Sequence, residues 1–207
     1  MKRRDALRLG IIGGGAMLSG GLLNPAHAQD APEVKEMTLG AEDAPVTMIE
    51  YASFTCPHCA SFHNSTFDRL KEDYIDTGKV RLIYREVYFD RPGLWAGMVA
   101  RCAGEVRYFG VVSLLYEKQR EWIGDGTPAQ IAQNLRQIGK TAGLSDAELD
   151  ACLSDADKAR AMLDAYEAHM KEYDVQGTPS FVINGELHSN MAYEEMKKLI
   201  EAELAAG

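Results

Sequence analysis

Three features are scarce in this chain of 207 residues, and each scarcity excludes a class of protein. Only four cysteines are present, too few for a small disulfide scaffold but enough for one reactive pair and one structural pair. Beyond the N-terminus no run of about 18 apolar residues occurs, so an internal membrane span is not expected. Basic residues are outnumbered, with 22 Lys and Arg against 31 Asp and Glu, which argues against general nucleic-acid binding.

The rest of the composition is that of a folded globular protein. Hydrophobic residues make up 46% of the chain and charged residues 26%, which excludes disordered and fibrous classes. The length suits about one to one and a half domains with a sizeable core. The patterns follow the order β–α–β, then about eighty helical residues, then β–β–α. This order predicts an α/β fold with a helical segment inserted into the same folding unit.

Residues 1–28 are predicted to be an export signal peptide that is cleaved before Gln29. The segment has a basic start, a weakly apolar and glycine-rich middle, and small residues at 26–28 (Ala-His-Ala), which is the three-part layout of a secretory signal. The pair Arg3-Arg4 resembles a twin-arginine signal, although the aromatic residue that usually follows the arginines is missing. A Sec signal and an uncleaved anchor are the alternatives.

Export would change both the charge and the chemistry of the mature chain, residues 29–207. Removing residues 1–28 takes away four cations and one acid, so the net charge would fall from −9 to −12. The predicted location is the periplasm, an oxidising compartment in which disulfides persist. We therefore expect the cysteines to act as redox or structural sulfurs.

The reactive chemistry is expected at residues 56–59, Cys-Pro-His-Cys. Residues 46–51 are predicted to be a buried strand, and apolar residues recur every three or four positions over 62–74, as in a helix. The motif thus lies where a strand passes into a helix. A zinc site would need a second close ligand pair, and the other two cysteines are fifty residues apart. Zinc binding and a purely structural disulfide within the motif remain minor alternatives.

The two sulfurs of this motif are predicted to be unequal. Cys56 would begin the helix, where unpaired backbone N–H groups favour a thiolate. Pro57 suits the first turn because it gives up no needed N–H, and His58 would add a donor or a positive charge beside the Cys56 sulfur. Cys59, one turn further in, would be more buried and would react second.

Residues of about 92–173 are predicted to be helical, and strands then return. Ser145 and Glu148 form a capping box, Thr127 is a predicted cap before Pro128, and residues 180–188 form a hairpin around Asn184-Gly185. A helix beginning near Tyr193 would end the chain. The residues predicted to share a buried face early in the segment are Trp95, Met98, Val99, Cys102 and Val106. Those predicted to point inward on its last helix are Met162, Leu163, Tyr166 and Met170.

Three stretches together resemble the DsbA family of thiol:disulfide oxidoreductases. They are residues 49–51 (Ile-Glu-Tyr), 54–62 (Phe-Thr-Cys-Pro-His-Cys-Ala-Ser-Phe) and 177–180 (Gly-Thr-Pro-Ser). The resemblance covers essentially the whole mature chain. It implies a thioredoxin-like fold with an inserted helical subdomain and a cis peptide bond before Pro179, facing the redox pair. The backbone of Thr178 would then offer an edge on which an extended substrate could lie; an ordinary trans proline is the alternative.

The resemblance also suggests a role for one acidic residue, Glu50, but none for the histidines outside the motif. Glu50 matches a buried acid beneath the redox pair, where burial without a cation would raise its pKa and suit it to relay a proton to Cys59; a solvated Glu is the alternative. His63 receives no catalytic role, and His169 and His188 are expected at the surface.

Cys102 and Cys152 resemble the disulfide of four-cysteine members of the family. Closing a loop of about fifty residues would contribute roughly 4 kcal/mol to stability. Two buried free thiols are the alternative, since Cys is often simply a small core residue.

The predicted function is that of an exported dithiol oxidase acting through Cys56 and Cys59. Its partners would be unfolded or reduced client proteins and a membrane-bound, DsbB-like reoxidising protein. No organic cofactor, metal or nucleic acid is expected, and the protein is predicted to be a monomer. A disulfide isomerase or reductase on the same fold, and a non-catalytic peptide-binding module, are the alternatives.

Overall fold

The computed structural model describes residues 33–206, so the predicted export signal and its cleavage site lie outside the described residues. Within them, five strands form one sheet in the order β1-β3-β2-β4-β5. The strands are β1 (Met37–Leu39), β2 (Val46–Ala52), β3 (Val80–Glu86), β4 (Ser180–Ile183) and β5 (Glu186–Ser189). β2 and β3 are parallel, and every other neighbouring pair is antiparallel.

β2 is the central strand because its residues can be buried on both faces. Its sequence is apolar except for Thr47 and Glu50, and nearly all of it is buried. A parallel neighbour needs a crossover, which is a helix over residues 57–75. This helix consists of α1 (Pro57–Phe62) and α2 (Asp68–Leu70), with π-helical turns at His63–Phe67 and Lys71–Ile75. The motif at 56–59 therefore lies at the end of β2, as predicted.

The chain between β3 and β4 is helical. Its helices are α3 (Arg91–Cys102), α4 (Glu105–Glu117), α5 (Gln119–Ile123), α6 (Pro128–Thr141), α7 (Asp146–Leu153) and α8 (Ala156–Glu172). After β5, α9 (Tyr193–Ala206) packs against β2. None of the helices within residues 33–206 combines the length and the apolar character required to cross a membrane. The predicted α/β class and the thioredoxin-like fold are confirmed.

Two residues predicted to be buried in the helical segment are exposed. α3 ends at Cys102, and Gly104 then turns the chain at a φ of 76°. A new helix starts in another direction, so Val106 is 100% exposed and does not share the face of α3. Leu163 on α8 is 37% exposed, because only part of this helix is covered by the sheet and α3.

The predicted hairpin turn and one of the two predicted helix caps are confirmed. Ser145 and Glu148 form both halves of the capping box, and Asn184 and Gly185 have φ values of 44° and 92°, as in the turn that two-residue hairpins favour. Thr127 does occupy the N-cap position of α6, but its hydroxyl bonds to Asp125 and does not cap the helix. Sequence spacing therefore predicted the cap at Ser145 but not the partner that the Thr127 hydroxyl takes.

Two apolar clusters meet at the redox motif. One lies between the sheet and the helical segment and contains Phe54, Cys59, Tyr84, Leu115, Tyr116 and Trp122. The other lies beneath the crossover helix and α9 and contains Met48, Phe62, Leu82, Phe181, Met196 and Ile200. Because Cys59 belongs to the first cluster and Phe62 to the second, α1 is held between them.

Candidate active site

Cys56 occupies the N-cap of α1, with extended backbone angles of −79° and 120°. Its N–H donates to Ser53 O at 3.1 Å, and its carbonyl accepts from Ala60 N at 3.1 Å. Pro57 fills the first helical position. Pro57 and His58 are exposed, Cys56 is half-buried, and Cys59 is buried. One turn of helix thus places one sulfur at the surface and the other in the core.

These positions give the two thiols opposite acidities. Hydrogen bonding from the Cys59 thiol, together with bonds from Thr178 and from the backbone N–H groups of Cys59 and His58, lowers the pKa of Cys56 to about 5, against the opposing effect of burial. Burial, and then the neighbouring Cys56 sulfur, raises the pKa of Cys59 far above its ordinary value. At neutral pH Cys56 is a thiolate and Cys59 a thiol. The contribution of His58 to this lowering is its backbone N–H, and its side chain is exposed.

A second loop faces Cys56 from the other end of the chain. The peptide bond between Thr178 and Pro179 is cis, and Thr178 O lies 3.4 Å from Cys56 Sγ. The loop is held there because β4 pairs with β2, with Ser180 opposite Tyr51. Residues 122 positions apart are therefore brought into contact.

The helical segment holds the redox loop through Gln119, a residue that the sequence analysis missed. Its buried Nε2 donates to Phe54 O at 2.8 Å and to Cys56 O at 2.9 Å. Gln119 is the first residue of α5, and nothing in its sequence context marks it as buried. Only the packing of α5 against the loop reveals this contact.

Another anchor comes from the start of α3. Thr55 Oγ1 donates to Asp90 Oδ2 at 2.8 Å, while Asp90 Oδ1 accepts from Gly93 N at 2.7 Å and so caps α3. The loop before Cys56 is thus bound to the helical segment at two places, at Asp90 before α3 and at Gln119 in α5. Such anchoring limits the freedom of the reactive sulfur.

Glu50 is fully buried (0% exposed) on β2, so the alternative of a solvated edge residue is wrong. Its Oε1 lies 2.8 Å from His63 Nε2, which also corrects the premise that no basic group accompanies it. Histidine 63 is 7% exposed, and its ring stacks on Tyr116 and Phe67 at centroid distances of 4.2 and 4.7 Å. The sequence assigned His63 no catalytic role, and nothing local to the helix reveals that it meets Glu50.

Two buried tyrosines lie near both this acid and the buried sulfur. Tyr84 and Tyr116 join their hydroxyls at 2.6 Å. Burial, first of all, raises the pKa of both well above the ordinary value, and negative charge on Glu50 or on Cys59 raises each further. Glu50 and Cys59 therefore share one buried environment, beneath the surface on which Cys56 lies.

Two further histidines of the described residues, His169 and His188, lie outside this environment, and both are half-buried, not at the surface as expected. The carbonyl of His169 accepts from Tyr51 Oη at 3.1 Å, and burial lowers the pKa of the His169 ring. His188 lies on β5, at the edge of the sheet. Neither is joined to the redox motif by a hydrogen bond described for residues 33–206.

Cys102 and Cys152 are joined by a disulfide with a Cα–Cα distance of 6.2 Å. The bond links the last residue of α3 to α7, within the helical segment. Cys152 is buried. The loop that the bond closes spans 50 residues.

This chain is similar to several known proteins. A family model described as "Thioredoxin" matches residues 33–202. A protein-disulfide oxidoreductase of Rickettsia bellii is 31% identical over 167 residues, which cover 80% of this chain and 63% of the relative. Disulfide bond formation protein D of Bacillus subtilis is 27% identical over 185 residues, covering 84% and 79%. The crystal structure of alpha-DsbA1 from Wolbachia pipientis superposes with a TM-score of 0.77 at 26% identity, covering 84% of this chain and 94% of that one.

A thioredoxin fold with two cysteines at a helix start and a cis-proline loop opposite defines a class of thiol–disulfide exchange proteins. The chain belongs to the thioredoxin family, in its DsbA-like branch of protein-disulfide oxidoreductases. It spans less than two thirds of the length of the rickettsial relative that it matches.

Proposed function

We propose that this chain is an exported thiol:disulfide oxidoreductase that introduces disulfide bonds into client proteins through Cys56 and Cys59. The observation that carries the proposal is the asymmetry of the pair. Cys56 is half-buried with a pKa lowered to about 5, while burial keeps Cys59 protonated. A stabilised Cys56 thiolate favours the reduced protein, so its disulfide is readily given to a client.

The exchange passes electrons between sulfur atoms alone. A client thiolate attacks Cys56 Sγ of the Cys56–Cys59 disulfide, the S–S bond breaks, and the electron pair goes to Cys59 Sγ, which takes up a proton. A second client thiolate then attacks the client sulfur of this mixed disulfide, and Cys56 leaves as a thiolate. The client has lost two electrons, which the reduced pair carries. These steps use neither a metal nor an organic cofactor.

Several neighbouring groups receive roles in this proposal. Thr178 O, beside Cys56 Sγ at 3.4 Å, would accept a backbone N–H from an extended client segment. Pro179, lacking an N–H, leaves this edge open. Glu50 would supply the proton that Cys59 needs. A membrane-bound, DsbB-like protein would reoxidise the pair.

Oxidase activity is distinguished from reductase or isomerase activity by equilibrium with glutathione. The reduced protein should predominate even in a buffer that oxidises thioredoxin, and the reduced form should melt at a higher temperature than the oxidised form. The protein should also oxidise a reduced client faster than it rescues a scrambled one. An equilibrium close to that of thioredoxin, with the oxidised form more stable, would contradict an oxidase and favour a reductase.

A non-catalytic peptide-binding module is tested with Cys56→Ser, Cys59→Ser. If redox chemistry is the function, the variant should lose client oxidation and the capture of clients as mixed disulfides. Full client protection by the variant would favour the binding module. His188→Gln, on the edge strand β5, is a matched control that should act like the natural chain.

Export through residues 1–28 is part of the same proposal. The basic start, the apolar middle and the small residues at 26–28 support it. Fractionation of bacterial cells should place the processed protein in the periplasm, beginning at Gln29. Arg3→Lys, Arg4→Lys should block export if the twin-arginine route is used. Normal export of this variant would favour the Sec route, whereas unprocessed protein in the cytoplasm of the natural chain would contradict export.

A further inference from the structure

We propose that a polar cleft beside the redox motif is a subsite for a basic side chain of the client, Lys or Arg. This assignment rests on the proposed function, since it names a class of client for the same redox pair. The cleft has a volume of about 500 Å³, which is within the range of sites that bind small groups. It lies between the crossover helix and the junction of α4 with α5.

One wall of the cleft is the first turn of α1. Pro57, Ala60 and Ser61 line it, and Pro57 directly follows the reactive Cys56. One helical turn advances about 5.4 Å along the axis, and an extended client advances about 3.3–3.6 Å per residue. When a client cysteine reacts at Cys56 Sγ, client residues only a few positions away are therefore within reach of the cleft.

Two amide side chains that line the cleft use their N–H groups on backbone carbonyls. Gln119 Nε2 donates to two carbonyls of the redox loop, and Asn64 Nδ2 donates to a carbonyl of α4 at 3.2 Å. A carbonyl oxygen accepts and never donates, so these contacts fix which end of each amide is the nitrogen. Neither amide oxygen accepts a hydrogen bond from any of the described residues.

The free oxygen of Gln119 is available to a ligand even though the residue is only 6% exposed. Within residues 33–206, the one fully buried side-chain oxygen or nitrogen without a hydrogen bond is Glu50 Oε2. Gln119 Oε1 is therefore not sealed inside the protein, and the residue lines the cleft. A nearly buried amide with an unused acceptor is satisfied best by a ligand that donates.

The charges of the cleft also favour a cation. Two carboxylates, of Glu117 and Glu121, line it against one guanidinium, that of Arg120. Glu121 is shared with Lys118, whose Nζ lies 3.3 Å from its Oε2. Neither Glu117 nor Arg120 takes part in an ion pair among the described residues. The Glu117 carboxylate is thus free to pair with a cation of the client.

A basic side chain supplies what this cleft lacks. A Lys ammonium has three N–H donors and an Arg guanidinium five, and neither has an acceptor. The two amide oxygens and the Glu117 carboxylate accept such donors, whereas an acidic side chain would set further acceptors against them. The net charge of −9 adds a field that attracts basic clients. Arg120 opposes a client cation, which provides a test of opposite sign.

The test compares peptide clients that differ in one side chain. Each peptide contains two cysteines and carries Lys, Gln or Glu in turn at positions within about three residues of the first cysteine. Its rate of oxidation by the Cys56–Cys59 disulfide is divided by its rate with dithiodipyridine, an uncharged disulfide, because a neighbouring charge changes the pKa of the peptide thiol. At one or more positions Lys should be favoured over Glu by about threefold or more, with Gln between them.

Two variants of the cleft should move this preference in opposite directions. Glu117→Gln should lower the ratio of the Lys rate to the Glu rate by about two- to fivefold, the scale of an exposed ion pair, and Arg120→Gln should raise it by a similar factor. Glu72→Gln is the matched control. It removes the same charge from an exposed position at the far end of the crossover helix, about 20 Å from the motif, and should reproduce the natural ratio.

Several outcomes would overturn the subsite. Equal rates for Lys and Glu peptides at every position would do so, as would a ratio that neither Glu117→Gln nor Arg120→Gln changes. A change of the same sign in both variants would indicate a ligand that needs both charges. An equal change in Glu72→Gln would mean that only the overall charge matters. Urea unfolding shows that each variant compared is folded.

A second measurement uses no substitution and no redox chemistry. Peptides in which serines replace the cysteines, with Lys or Glu at the most discriminating position, are titrated into the oxidised protein and followed by NMR. The Lys peptide should shift the side-chain amide signals of Asn64 and Gln119, and the Glu peptide should not. Unmoved signals with the Lys peptide would contradict the subsite. Shifted signals in a protein whose glutathione equilibrium rules out an oxidase would leave the subsite standing while the proposed function fails.

Discussion

The two cysteine pairs of this chain have the same chemistry available and are put to opposite uses by their surroundings. Cys56 and Cys59 are one turn apart, at a helix start, with one sulfur half-exposed. Cys102 and Cys152 close a loop of 50 residues inside the helical segment. A bond between Cys56 and Cys59 closes only a short loop, but the site stabilises a thiolate at Cys56. The bond between Cys102 and Cys152 closes a long loop and so restricts the unfolded chain. Reactivity therefore follows from solvent access and hydrogen bonding, and stabilisation from loop length.

Two buried acids show a similar contrast on neighbouring strands. Glu86 on β3 is paired with Arg101 at 2.5 and 2.7 Å and accepts the Tyr108 hydroxyl at 2.6 Å. Glu50 on β2 has one described partner, His63, and a free oxygen. Arginine never releases its proton at physiological pH, so Glu86 has a permanently charged partner. Glu50 instead has a histidine partner, a side chain that can be charged or neutral.

The largest expected effect is on client oxidation. Cys56→Ser should abolish it, whereas Cys102→Ala, Cys152→Ala should leave it largely intact, because the second pair stabilises and does not react. Oxidation of a reduced client, followed by its fluorescence or by thiol counting, measures both. In the natural reduced protein, limited iodoacetamide near pH 6 should label Cys56 before Cys59. Equal loss of client oxidation in both variants would contradict the division into a reactive and a structural pair. Labelling of Cys59 first would contradict the assignment of Cys56 as the reactive sulfur.

The next effect is the pH dependence of the equilibrium with glutathione. The pKa of Cys56 is lowered to about 5 in the folded reduced protein, while glutathione keeps an ordinary thiol pKa of about 8.5. Between these values reduction of the protein releases one proton net, so the equilibrium should shift towards the reduced protein about tenfold per pH unit. Above about pH 8.5 the shift should reverse, because glutathione is then a thiolate while Cys59 still takes up a proton, and below about pH 5 it should vanish.

The stability of the reduced protein should also rise with pH. A lowered folded-state pKa stabilises the reduced protein fully above the unfolded pKa, and this contribution is lost as pH falls through about 5. Urea unfolding of the reduced protein should thus show stability rising from pH 5 towards 8. Above about pH 9 the raised pKa of Cys59 should lower the stability again, because the unfolded chain then loses the Cys59 proton and the folded one keeps it. A Cys56→Ser variant that keeps the full pH dependence would exclude this cause.

Removing the second disulfide should cost about 4 kcal/mol of unfolding free energy in the chain-entropy model. The measurement is urea unfolding of Cys102→Ala, Cys152→Ala against the natural oxidised chain. The expected pattern is a lowered stability with client oxidation retained. A loss below about 1 kcal/mol would mean that the helical segment holds its shape without the bond.

The contrast between the acids can be sharpened with Arg101→Met. This change leaves Glu86 buried without its cation, which typically costs about 3–5 kcal/mol, and it should leave client oxidation unchanged. Urea unfolding and the client-oxidation assay measure the two outcomes. A loss of client oxidation in a folded variant would mean that the two acids are coupled.

The smallest expected effect concerns Gln119. Gln119→Leu keeps a similar volume but leaves the carbonyls of Phe54 and Cys56 without their side-chain donor, at a cost of about 1–3 kcal/mol for each group that stays buried. Stability should fall, and Cys56 should be alkylated with an altered pH midpoint because its peptide is no longer held. An unchanged midpoint would limit Gln119 to a structural contribution.

Local patterns account for what the sequence could predict. The strand predicted at 46–51, the capping box at Ser145 and the hairpin turn at Asn184 depend on residues a few positions apart. Each was found, the strand one residue longer, as Val46–Ala52. The prediction that Val106 shares the face of α3 was wrong because a single turn at Gly104 redirects the chain. Leu163 was misplaced because helical periodicity does not reveal how much of a helix face its neighbours cover.

By itself, the sequence determined the α/β class, the position of the cysteine motif at a strand-to-helix junction and the acidity expected of its first sulfur, since all three depend on neighbouring residues. Only the tertiary structure decided which groups meet there. Gln119 and Thr178 reach Cys56 from 63 and 122 positions away, and His63 meets Glu50 across the junction of helix and sheet. Such contacts arise from the packing of whole elements, and burial then sets their protonation and partners.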